Sequence, residues 1–404
     1  MLVTPSPLLP TDSGGRIYVW GLVSELADRF DYHLLAMCNP DERAQLAAGG
    51  EPLMERYRSV FRSVHFVDRP LIPAQLPKRQ VLRHLWFHFR HGLPLMDVSY
   101  YSPEAVGTAR SVVQQENIDL IEVDHLQMAF VKTFLPNVAA VLVNHNIETD
   151  LYPFFRTKRW SLPAMAVWLG FGWFSRRNGR KIELTNKLGF EAKLFISSAD
   201  AARVDEQCPK VVVPLPMAPR EGDKEFNADQ FKMLWLGGFD WPPNAEAIRW
   251  FIDEVWPLMS PRLPNAEFHI VGGSPPTELG SSDARITFHG YQDDVDVWRD
   301  LADVLVAPLQ TGSGVRVKIV EAMAAGLPVV STSKGCEGLE VTSGVDVIVA
   351  DQPHDFAEAL VDLAGRPEVR SRLGAAGKGY VAQHHAPASV AARKAEALSR
   401  AFAN

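Results

Sequence analysis

The sequence predicts an α/β fold with two doubly wound domains. Short apolar runs alternate along the whole chain with longer segments in which apolar residues recur every three or four positions. Such alternation is typical of parallel sheets that are covered by helices on both faces. The series starts at residue 1 and starts again at residue 231, and a segment rich in proline and charge, residues 213–227, separates the two starts.

Domain boundaries follow from this segment. We expect a first domain at residues 1–215 and a second domain at residues 216–386. The last predicted helix, residues 387–404, is not followed by a strand, and we expect it to pack back on the first domain.

The first series begins with a short strand, a loop containing Gly14 and Gly15, and a helix. The apolar stripe of that helix is Val19, Leu22, Val23 and Leu26. Later strands are predicted at "YHLLAM", "VHFVD", "DLIEVD", "AAVLVNHN", "KLFISSAD" and "KVVVPLP". A helix is predicted over residues 175–192, ahead of "KLFISSAD".

The second series begins at "FKMLWLGGFDWPPNAEAIRWFIDEVWPLM", which predicts a strand, a glycine turn and a helix. The buried stripe of that helix is Ile248, Phe251, Ile252 and Val255, and "AEFHIVGG", "ITFHG", "VLVAPL", "LPVVST" and "DVIVA" continue the alternation. Glycines follow strands throughout, at Gly14, Gly15, Gly237, Gly238, Gly272, Gly273, Gly290, Gly312 and Gly314. Ligands of open α/β sheets bind beyond the carboxyl ends of the strands, so we expect these loops to converge on a cleft between the domains.

Composition limits the class of protein. With 404 residues, 47% hydrophobic and 22% charged, the chain is long enough for two globular domains. Its three cysteines, Cys38, Cys208 and Cys336, are far apart and have no metal-ligand spacing, which favours packing roles in a reducing compartment. The net charge of −7 argues against a nucleic-acid partner. Apolar runs are too short for a membrane span and no secretory leader is evident, so the sequence predicts a cytoplasmic protein.

Two windows in the first half of the chain contain no acidic residue. Residues 69–96 mix Lys78, Arg79, Arg83 and Arg90 with Trp86, Phe87 and Phe89. Residues 151–182 carry Arg156, Lys158, Arg159, Arg176, Arg177, Arg180 and Lys181 around Trp160, Trp168 and Trp173. Either window alone is typical of a solvated helix face. The two together predict peripheral contact with a membrane surface or an anionic acceptor.

The stretch "GSGVRVKIVEAMAAGLPVVST", residues 312–332, predicts a loop, a helix, a turn and a strand. If the helix starts near Val315 or Arg316, then Gly314, Lys318 and Glu321 are four and three residues apart and lie on one face of it. Helix starts bind anions because their backbone N–H groups lack partners and the dipole is positive there. The sequence therefore predicts an anion site at this loop.

This stretch resembles the signature of GT-B glycosyltransferases of the retaining family-four type, also called glycosyltransferase group 1. The signature is a glutamate, seven residues, a second glutamate, and then Ala-Met-Ala, a small residue, Gly and Pro-Val-Val. Glu321 and "EAMAAGLPVV" match the second half, whereas Ser313 stands in place of the first glutamate, as in a branch that carries "GSGVRVKIVE". The likeness covers nearly the whole chain and is strongest from Leu234 to Ser331.

The resemblance implies roles for individual residues of the second, Rossmann-like domain. Glu321 would accept hydrogen bonds from the nucleotide ribose. Ser313 stands where the family has a residue that contacts the donor sugar, and the amides of Gly314, Val315 and Arg316 would face that sugar. Many members hold the diphosphate with an arginine and a lysine after the first strand of this domain, but here that place reads "GGFDWPPN". Arg316 and Lys318 are expected to supply the missing charge.

Further residues border the expected ligands. Gly237, Gly238, Gly14 and Gly15 would allow close backbone approach to the donor, and Gly290 and Tyr291 would border the base. In the first, acceptor-binding domain, His125 in "VDHLQM" would bind the donor sugar. His145 in "LVNHNIE" would lie on the acceptor side.

The activity implied is retaining transfer of a sugar from a UDP- or GDP-sugar to a glycan, lipid-linked or other acceptor, in cell-surface polysaccharide synthesis. No permanently bound cofactor or metal is expected, and "DDVD", Asp293 to Asp296, is interpreted as the acidic first turn of a helix. Two alternatives share the architecture: a non-catalytic subunit that binds nucleotide sugar, and a nucleotide-sugar 2-epimerase.

Overall fold

The computed structural model describes residues 1–11, 13–70, 86, 89–94, 100–150, 162–227, 230–279 and 283–403. The contacts within the chain divide it into two compact units. The first unit is Met1–Pro214 together with Pro387–Asn404, and the second unit is Leu215–Ala386.

The first unit contains a parallel sheet of seven strands in the order β3-β2-β1-β4-β5-β6-β7. The strands are β1 Leu2–Thr4, β2 Tyr32–Cys38, β3 Phe61–Asp68, β4 Leu120–Asp124, β5 Ala139–Asn144, β6 Ala192–Phe195 and β7 Lys210–Val212. The helices are α1 Gly14–Leu26, α2 Pro40–Arg58, α3 Pro103–Gln115, α4 Phe130–Phe134, α5 Leu162–Leu184, α6 Ser198–Ala202 and α13 Pro387–Ala403. The central strands are buried along their whole length, because helices cover both faces of the sheet.

The second unit contains a parallel sheet of six strands in the order β10-β9-β8-β11-β12-β13. The strands are β8 Phe231–Leu236, β9 Ala266–Val271, β10 Ile286–Gly290, β11 Val304–Ala307, β12 Val329–Ser331 and β13 Ile348–Val349. The helices are α7 Pro242–Trp250, α8 Trp256–Met259, α9 Asp296–Leu301, α10 Val317–Ala324, α11 Pro353–Ala364 and α12 Pro367–His384. Both sheets are doubly wound, so the fold class predicted from the sequence is confirmed.

Strand order places the glycine loops. In each unit the first strand of the series pairs with strands on both sides, β1 with β2 and β4, and β8 with β9 and β11. Successive strands are added first on one side of that strand and then on the other. The position where the order of strands reverses is called the switch point, and open α/β sheets bind ligands there. The loops after β1 and β4, and those after β8 and β11, therefore open at the two switch points.

Two helix predictions need correction. The helix predicted over residues 175–192 is α5, which ends at Leu184. At its end the Nζ atom of Lys193, in β6, donates to the carbonyls of Ile182, Glu183 and Thr185. The predicted helix containing Phe251 and Ile252 is interrupted by a π-helical turn at Phe251–Val255. Pro257, in the next turn, lacks the N–H that a regular helix would need there.

Helix α10 ends as the sequence predicts. Gly326 has a φ of +71°, and the amide of Leu327 donates to the carbonyl of Ala322 over 2.9 Å. This is the Schellman arrangement, and Pro328 then prevents further helix. At its start the helix begins at Val317, one to two residues later than expected, with Arg316 as its N-cap.

Three further observations bear on the composition. All three cysteines are free and buried. Among the described residues, no helix combines the length and the apolar character that a membrane span requires. Asp296 opens α9 and its amide donates to the carboxylate of Asp294, as expected of an acidic helix start.

Candidate active site

The first unit brings Gly15, His125 and His145 together at its switch point. Gly15 lies in the first turn of α1, His125 directly follows β4, and His145 directly follows β5. A Cβ atom placed on Gly15 would lie 3.6 Å from the ring of His145 and 3.7 Å from the ring of His125. The Gly14-Gly15 loop therefore lies against both histidines, and a larger residue would narrow the space beside them.

Asp124 joins the two histidines. Its Oδ2 atom lies 2.9 Å from Nδ1 of His125, and its Oδ1 atom lies 2.7 Å from Nε2 of His145. The two imidazole rings stack with their centroids 4.0 Å apart and an angle of 13° between their planes. Sequence reasoning missed Asp124, although a carboxylate at the last position of a buried strand, next to a candidate histidine, was a usable signal.

Electrostatics give the two histidines different protonation states. Burial opposes a charge on His125, but the carboxylate of Asp124 outweighs it and raises the pKa of His125 to about 9. Burial, together with the charge on His125, lowers the pKa of His145. Burial alone would raise the pKa of Asp124, but the two imidazoles hold it below its usual value. At neutral pH the cluster is an ionised Asp124, a cationic His125 and a neutral His145.

The backbone holds His125 in an unusual conformation. Its φ of +70° is rare for a residue with a side chain. The amide of His125 donates to the carbonyl of Val143 over 3.0 Å, and the next amide, of Leu126, donates to the carboxylate of Glu148 over 3.0 Å. Glu148 is in turn fixed through its own amide, which donates to Glu183 over 2.5 Å. Such strain persists only where the surroundings fix it, which is common at functional sites.

The same cluster has the residue types of a metal site. Among the described residues, Asp124, His125 and His145 form the group whose potential ligand atoms lie within 4.8 Å of one another. Both nitrogen to oxygen distances, 2.7 and 2.9 Å, are ordinary hydrogen-bond lengths. One carboxylate shared by two imidazole N–H groups accounts for this geometry.

In the second unit, Lys318 lies against the loop that follows β8. Its Nζ atom is 3.5 Å from the centroid of the Trp235 ring and 3.4 Å from Oδ1 of Asn244. A Cβ atom on Gly237 would lie 2.7 Å from this Nζ, and Gly237 has a φ of +146°. The loop that lacks a cation of its own in the sequence is thus supplied with one from α10. Burial, and then the charge of Arg316, lower the pKa of Lys318 well below its usual value.

Arg316 holds the loop that precedes α10. Its Nη1 atom donates to the carbonyl of Gly314 over 2.8 Å and also to the carbonyl of Ser313. A Cβ atom on Gly312 would lie 3.1 Å from Nη2 of Arg316. The guanidinium therefore folds back over its own loop. The Oγ atom of Ser313, at the position of the missing glutamate, is buried and has no hydrogen-bond partner among the described residues.

Glu321 lies one turn further along α10 and pairs with an arginine that sequence reasoning missed. Nη2 of Arg299 lies 2.7 Å from Oε2 of Glu321, and Nη1 of Arg299 also pairs with Asp296. Burial raises the pKa of Glu321, and Arg299 opposes that shift. No feature of the sequence around Arg299 marks it, since the contact depends on how α9 and α10 pack.

Three glycine loops of the second unit interlock through their backbones. Gly237 donates to the carbonyl of Val271, and Gly272 donates to the carbonyl of Gly290, each over 2.9 Å. A Cβ atom on Gly272 would lie only 2.1 Å from the carbonyl oxygen of Gly237, so this position requires glycine. Tyr291, which follows, is 69% exposed, so its ring is not part of the core.

The predicted site residues thus form two groups. The first unit carries Gly14, Gly15, His125 and His145. The second unit carries Gly237, Gly238, Gly290, Tyr291, Ser313, Gly314, Val315, Arg316, Lys318 and Glu321. Asp124 and Arg299 complete the two groups.

Comparison with known structures identifies the class of fold. A sucrose-phosphate synthase from Thermosynechococcus elongatus superposes with a TM-score of 0.67 at 17% identity, over 100% of this chain and 99% of that one. The crystal structure of TarM gives a TM-score of 0.65 at 11% identity, over 100% of this chain and 98% of that one. Anabaena HepE in complex with UDP and glucose gives 0.63 at 14% identity, over 98% of each chain. The protein has the GT-B fold.

Sequence comparison adds a family match and one relative. Residues 230–366, which lie within the second unit, match the family model described as "Glycosyl transferases group 1". A Klebsiella pneumoniae protein, described as an uncharacterized 44.6 kDa protein in cps region, is 26% identical over 189 residues. That alignment covers 43% of this chain and 47% of the relative, so the chain matches about half the length of that protein.

Proposed function

We propose that the protein is a retaining glycosyltransferase that transfers a sugar from a nucleotide-sugar donor to a glycan or lipid-linked acceptor. The observation that carries this proposal is the placement of Lys318 against the glycine loop after β8, with Glu321 on the same helix, in a domain that matches glycosyl transferases group 1. A cation, open backbone and a carboxylate are the groups needed by a diphosphate and a ribose.

The nucleotide is assigned to the second unit. Oε2 of Glu321 is held by Arg299, and the carboxylate as a whole is an acceptor for ribose hydroxyls. Exposed Tyr291 and Gly290, at the end of β10, border the base. Structures of HepE bound to UDP and to UDP-glucose support a UDP-sugar as the first donor to test, with a GDP-sugar as the other.

The diphosphate is assigned to Lys318 and the start of α10. A buried lysine with a lowered pKa regains its charge when an anion binds beside it, so Lys318 is suited to a phosphate whose charge grows as the bond to the sugar breaks. Arg316 acts on the loop, because it fixes the carbonyls of Ser313 and Gly314 and so directs the following amides. These groups replace a bound metal ion at the leaving group.

The transfer step follows from these assignments. The bond between the anomeric carbon and the phosphate oxygen breaks while the acceptor oxygen attacks that carbon from the same face. The acceptor proton passes to the departing phosphate, which leaves as the nucleoside diphosphate. Configuration is retained and no protein nucleophile is needed. In the first unit, cationic His125 contacts the donor sugar and neutral His145 lies on the acceptor side.

The acceptor belongs to polysaccharide synthesis at the cell surface, which the relative from a cps region supports. A lipid-linked acceptor would be presented at a membrane, so peripheral contact of the first unit with that membrane is part of the same proposal.

The test begins with binding. Purified protein is heated with a panel of UDP- and GDP-sugars, and a true donor raises the midpoint of unfolding because it binds only the folded state. Donor hydrolysis and transfer are then followed by NMR, which also reads the configuration of the product. Binding without turnover would identify a non-catalytic subunit, and release of a 2-epimer would identify an epimerase. If no nucleotide sugar stabilises the protein, the proposal is wrong.

A further inference from the structure

Three large aromatic side chains of the first unit are exposed to solvent. Trp86 is 61% exposed, Phe89 is 64% exposed and Trp173 is 64% exposed. Single exposed apolar residues are ordinary on soluble proteins, whereas exposed aromatic groups that cluster on one surface mark a site of contact with a partner or a membrane. These three come from the two acid-free windows of the sequence, and Trp173 lies more than eighty residues along the chain from Trp86 and Phe89.

The fold joins the two windows. The ring of Phe89 stacks on that of Phe174 in α5, with the centroids 5.2 Å apart and an angle of 29° between the planes. A second link is the Nζ atom of Lys187, which lies 3.4 Å from the carbonyl oxygen of Gly92. The exposed aromatic groups of both windows therefore belong to one surface.

Cations surround these aromatic groups. Arg90 lies over the ring of Trp86 at 5.4 Å, and Arg177 lies over the ring of Trp173 at 5.2 Å. A cavity of about 570 Å³ adjoins Trp173, and the residues that line it are Trp173, Arg176, Arg177, Arg180, Lys181, Leu184 and Thr185. Among the described residues of this lining, four are cations and none is acidic.

The four cations of this cavity have not been neutralised by the fold. All four lie on the exposed face of α5, while Ser175, Gly179 and Ile182 on its other face are buried. Within the described part of the chain, none of the four forms an ion pair, whereas Arg16, Arg43, Arg58 and Arg62 of the same unit each have a carboxylate partner. Because the whole chain has a net charge of −7, this positive surface is a local feature and does not follow from the overall composition.

We propose that this surface, formed by Trp86, Phe89, Arg90 and the exposed face of α5 from Trp173 to Lys181, docks the first unit on an anionic phospholipid bilayer. The cavity receives the phosphate of a lipid headgroup, and the tryptophans lie at the boundary between headgroups and acyl chains, where amphipathic rings are most stable. Single-stranded nucleic acid also pairs phosphates with aromatic rings, but the net negative charge of the protein disfavours it.

The test measures binding to vesicles. Full-length protein is sedimented with vesicles of neutral phosphatidylcholine, and with vesicles in which about a third of the lipid is phosphatidylglycerol. We expect binding only to the anionic vesicles, weakening as salt rises. The variant Arg176→Gln/Arg177→Gln/Arg180→Gln/Lys181→Gln should lose at least about tenfold in partitioning, since each cation contributes to the attraction.

A matched control changes the same charge elsewhere on the unit. The variant Arg29→Gln/Arg56→Gln/Arg58→Gln/Arg62→Gln removes four exposed arginines outside this surface and should bind anionic vesicles like the unchanged protein. A third variant, Trp86→Ser/Trp173→Ser, keeps every charge and should reduce the part of the binding that survives high salt. Equal losses in the two quadruple variants would reduce the effect to net charge and overturn the proposal.

Two other results would also overturn it: negligible binding of the unchanged protein to anionic vesicles, or binding to a single-stranded oligonucleotide that exceeds binding to the vesicles. The inference extends the membrane contact of the proposed function, but the assay involves no sugar transfer. A protein that binds vesicles and no nucleotide sugar would refute the proposed function alone. The reverse pattern would refute this inference alone.

Discussion

Arg299 and Glu321 form a largely buried ion pair, in which Nη2 of the arginine lies 2.7 Å from Oε2 of the glutamate. The arginine side chain is 8% exposed, and its other terminal nitrogen holds Asp296. Burial raises the pKa of Glu321 and the arginine counteracts the shift. The pair therefore fixes both the direction and the charge of the carboxylate that we assign to the ribose.

Removing this carboxylate should weaken donor binding without unfolding the protein. For Glu321→Ala we expect a loss of about 1.5–3 kcal/mol, which is roughly ten- to a hundredfold in Kd, because a charge-assisted hydrogen bond is lost. Calorimetric titration with the stabilising nucleotide sugar measures it. The exposed Glu254, on another helical segment of the same unit, provides the control Glu254→Ala. Equal Kd values for both variants would contradict the assignment.

The arginine should act through the glutamate. In Arg299→Met the pKa of Glu321 rises further, so donor affinity is lost at a higher pH than in the unchanged protein when pH is lowered. The measurement is Kd across pH 5 to 8, and Arg299→Lys should restore part of the profile. A uniform loss of affinity with an unchanged pH dependence would indicate a purely structural role for Arg299.

Gly237 should be needed for the position of Lys318. In Gly237→Ala the new methyl group would meet Nζ of Lys318, which lies 2.7 Å from the ideal Cβ position, and the lysine must move. Gly344→Ala is the control, because Gly344 also has a positive φ, +81°, but has nothing within 4 Å of a Cβ atom. Both variants should lose about 1 kcal/mol or more of folding free energy. Only the first should lose donor affinity, by about tenfold, and a similar loss in both would exclude a special role for the Lys318 contact.

The charge on His125 should contribute to stability in a defined pH range. Its pKa is about 9 in the folded protein and about 6.5 in an unfolded chain. Because the folded value is the higher, this contribution is complete below pH 6.5 and disappears as pH rises through 9; it amounts to at most about 3 kcal/mol. Asp124→Asn removes the partner of the charge. The free energy of unfolding is measured in urea at pH 6 and pH 9.5 for the unchanged protein and for Asp124→Asn. The difference between the two proteins should be larger at pH 6.

That comparison also guards against other titrating groups. The pKa of Lys193 is lowered to about 8, so its own contribution changes in an overlapping range. Both proteins contain Lys193, and subtracting one from the other cancels it. A difference between the proteins that is the same at both pH values would mean that His125 is not held as a cation by Asp124.

Sugar transfer should survive removal of divalent metal ions. Lys318 and the amides at the start of α10 are assigned the charge of the leaving phosphate, so EDTA should leave the rate unchanged. The measurement is donor turnover with EDTA and again with added Mn²⁺. Loss of turnover that Mn²⁺ restores would show that an ion is required, with Asp124, His125 and His145 as the first ligands to test by substitution.

Periodicity alone was sufficient for the fold class, because alternating apolar runs are a local property of the chain and parallel sheets follow from them. Two details failed where a distant or unusual group intervened. Helix α5 ends at Leu184, where Lys193 of β6 binds the last carbonyls, and the helical segment after β8 contains a π turn just ahead of Pro257. Neither effect appears in a window of apolar spacing.

The residues of the candidate site could be predicted from the sequence only in part, for a related reason. Glycine, histidine and the Glu321 helix are visible as motifs, and the roles given to them stay predictions. Arg299 and Asp124 depend on which side chains meet once the sheets have formed: Arg299 reaches Glu321 from α9, and Asp124 reaches His145 from a neighbouring strand. Contacts of this kind depend on how the elements pack, so no motif or residue spacing in the sequence indicates them.

The position of helix α13 in the sequence affects the order in which the two units can complete their folding. The second unit is inserted within the first, since residues 215–386 interrupt it and α13 returns to it. Lys394 of α13 lies 2.5 Å from Glu122, a buried carboxylate in the middle of the first sheet. During synthesis on a ribosome this carboxylate lacks its partner until the whole second unit and then α13 have been made. The first half of the chain is therefore expected to mature after the second half, and a fragment that stops at Pro214 would retain an uncompensated buried charge.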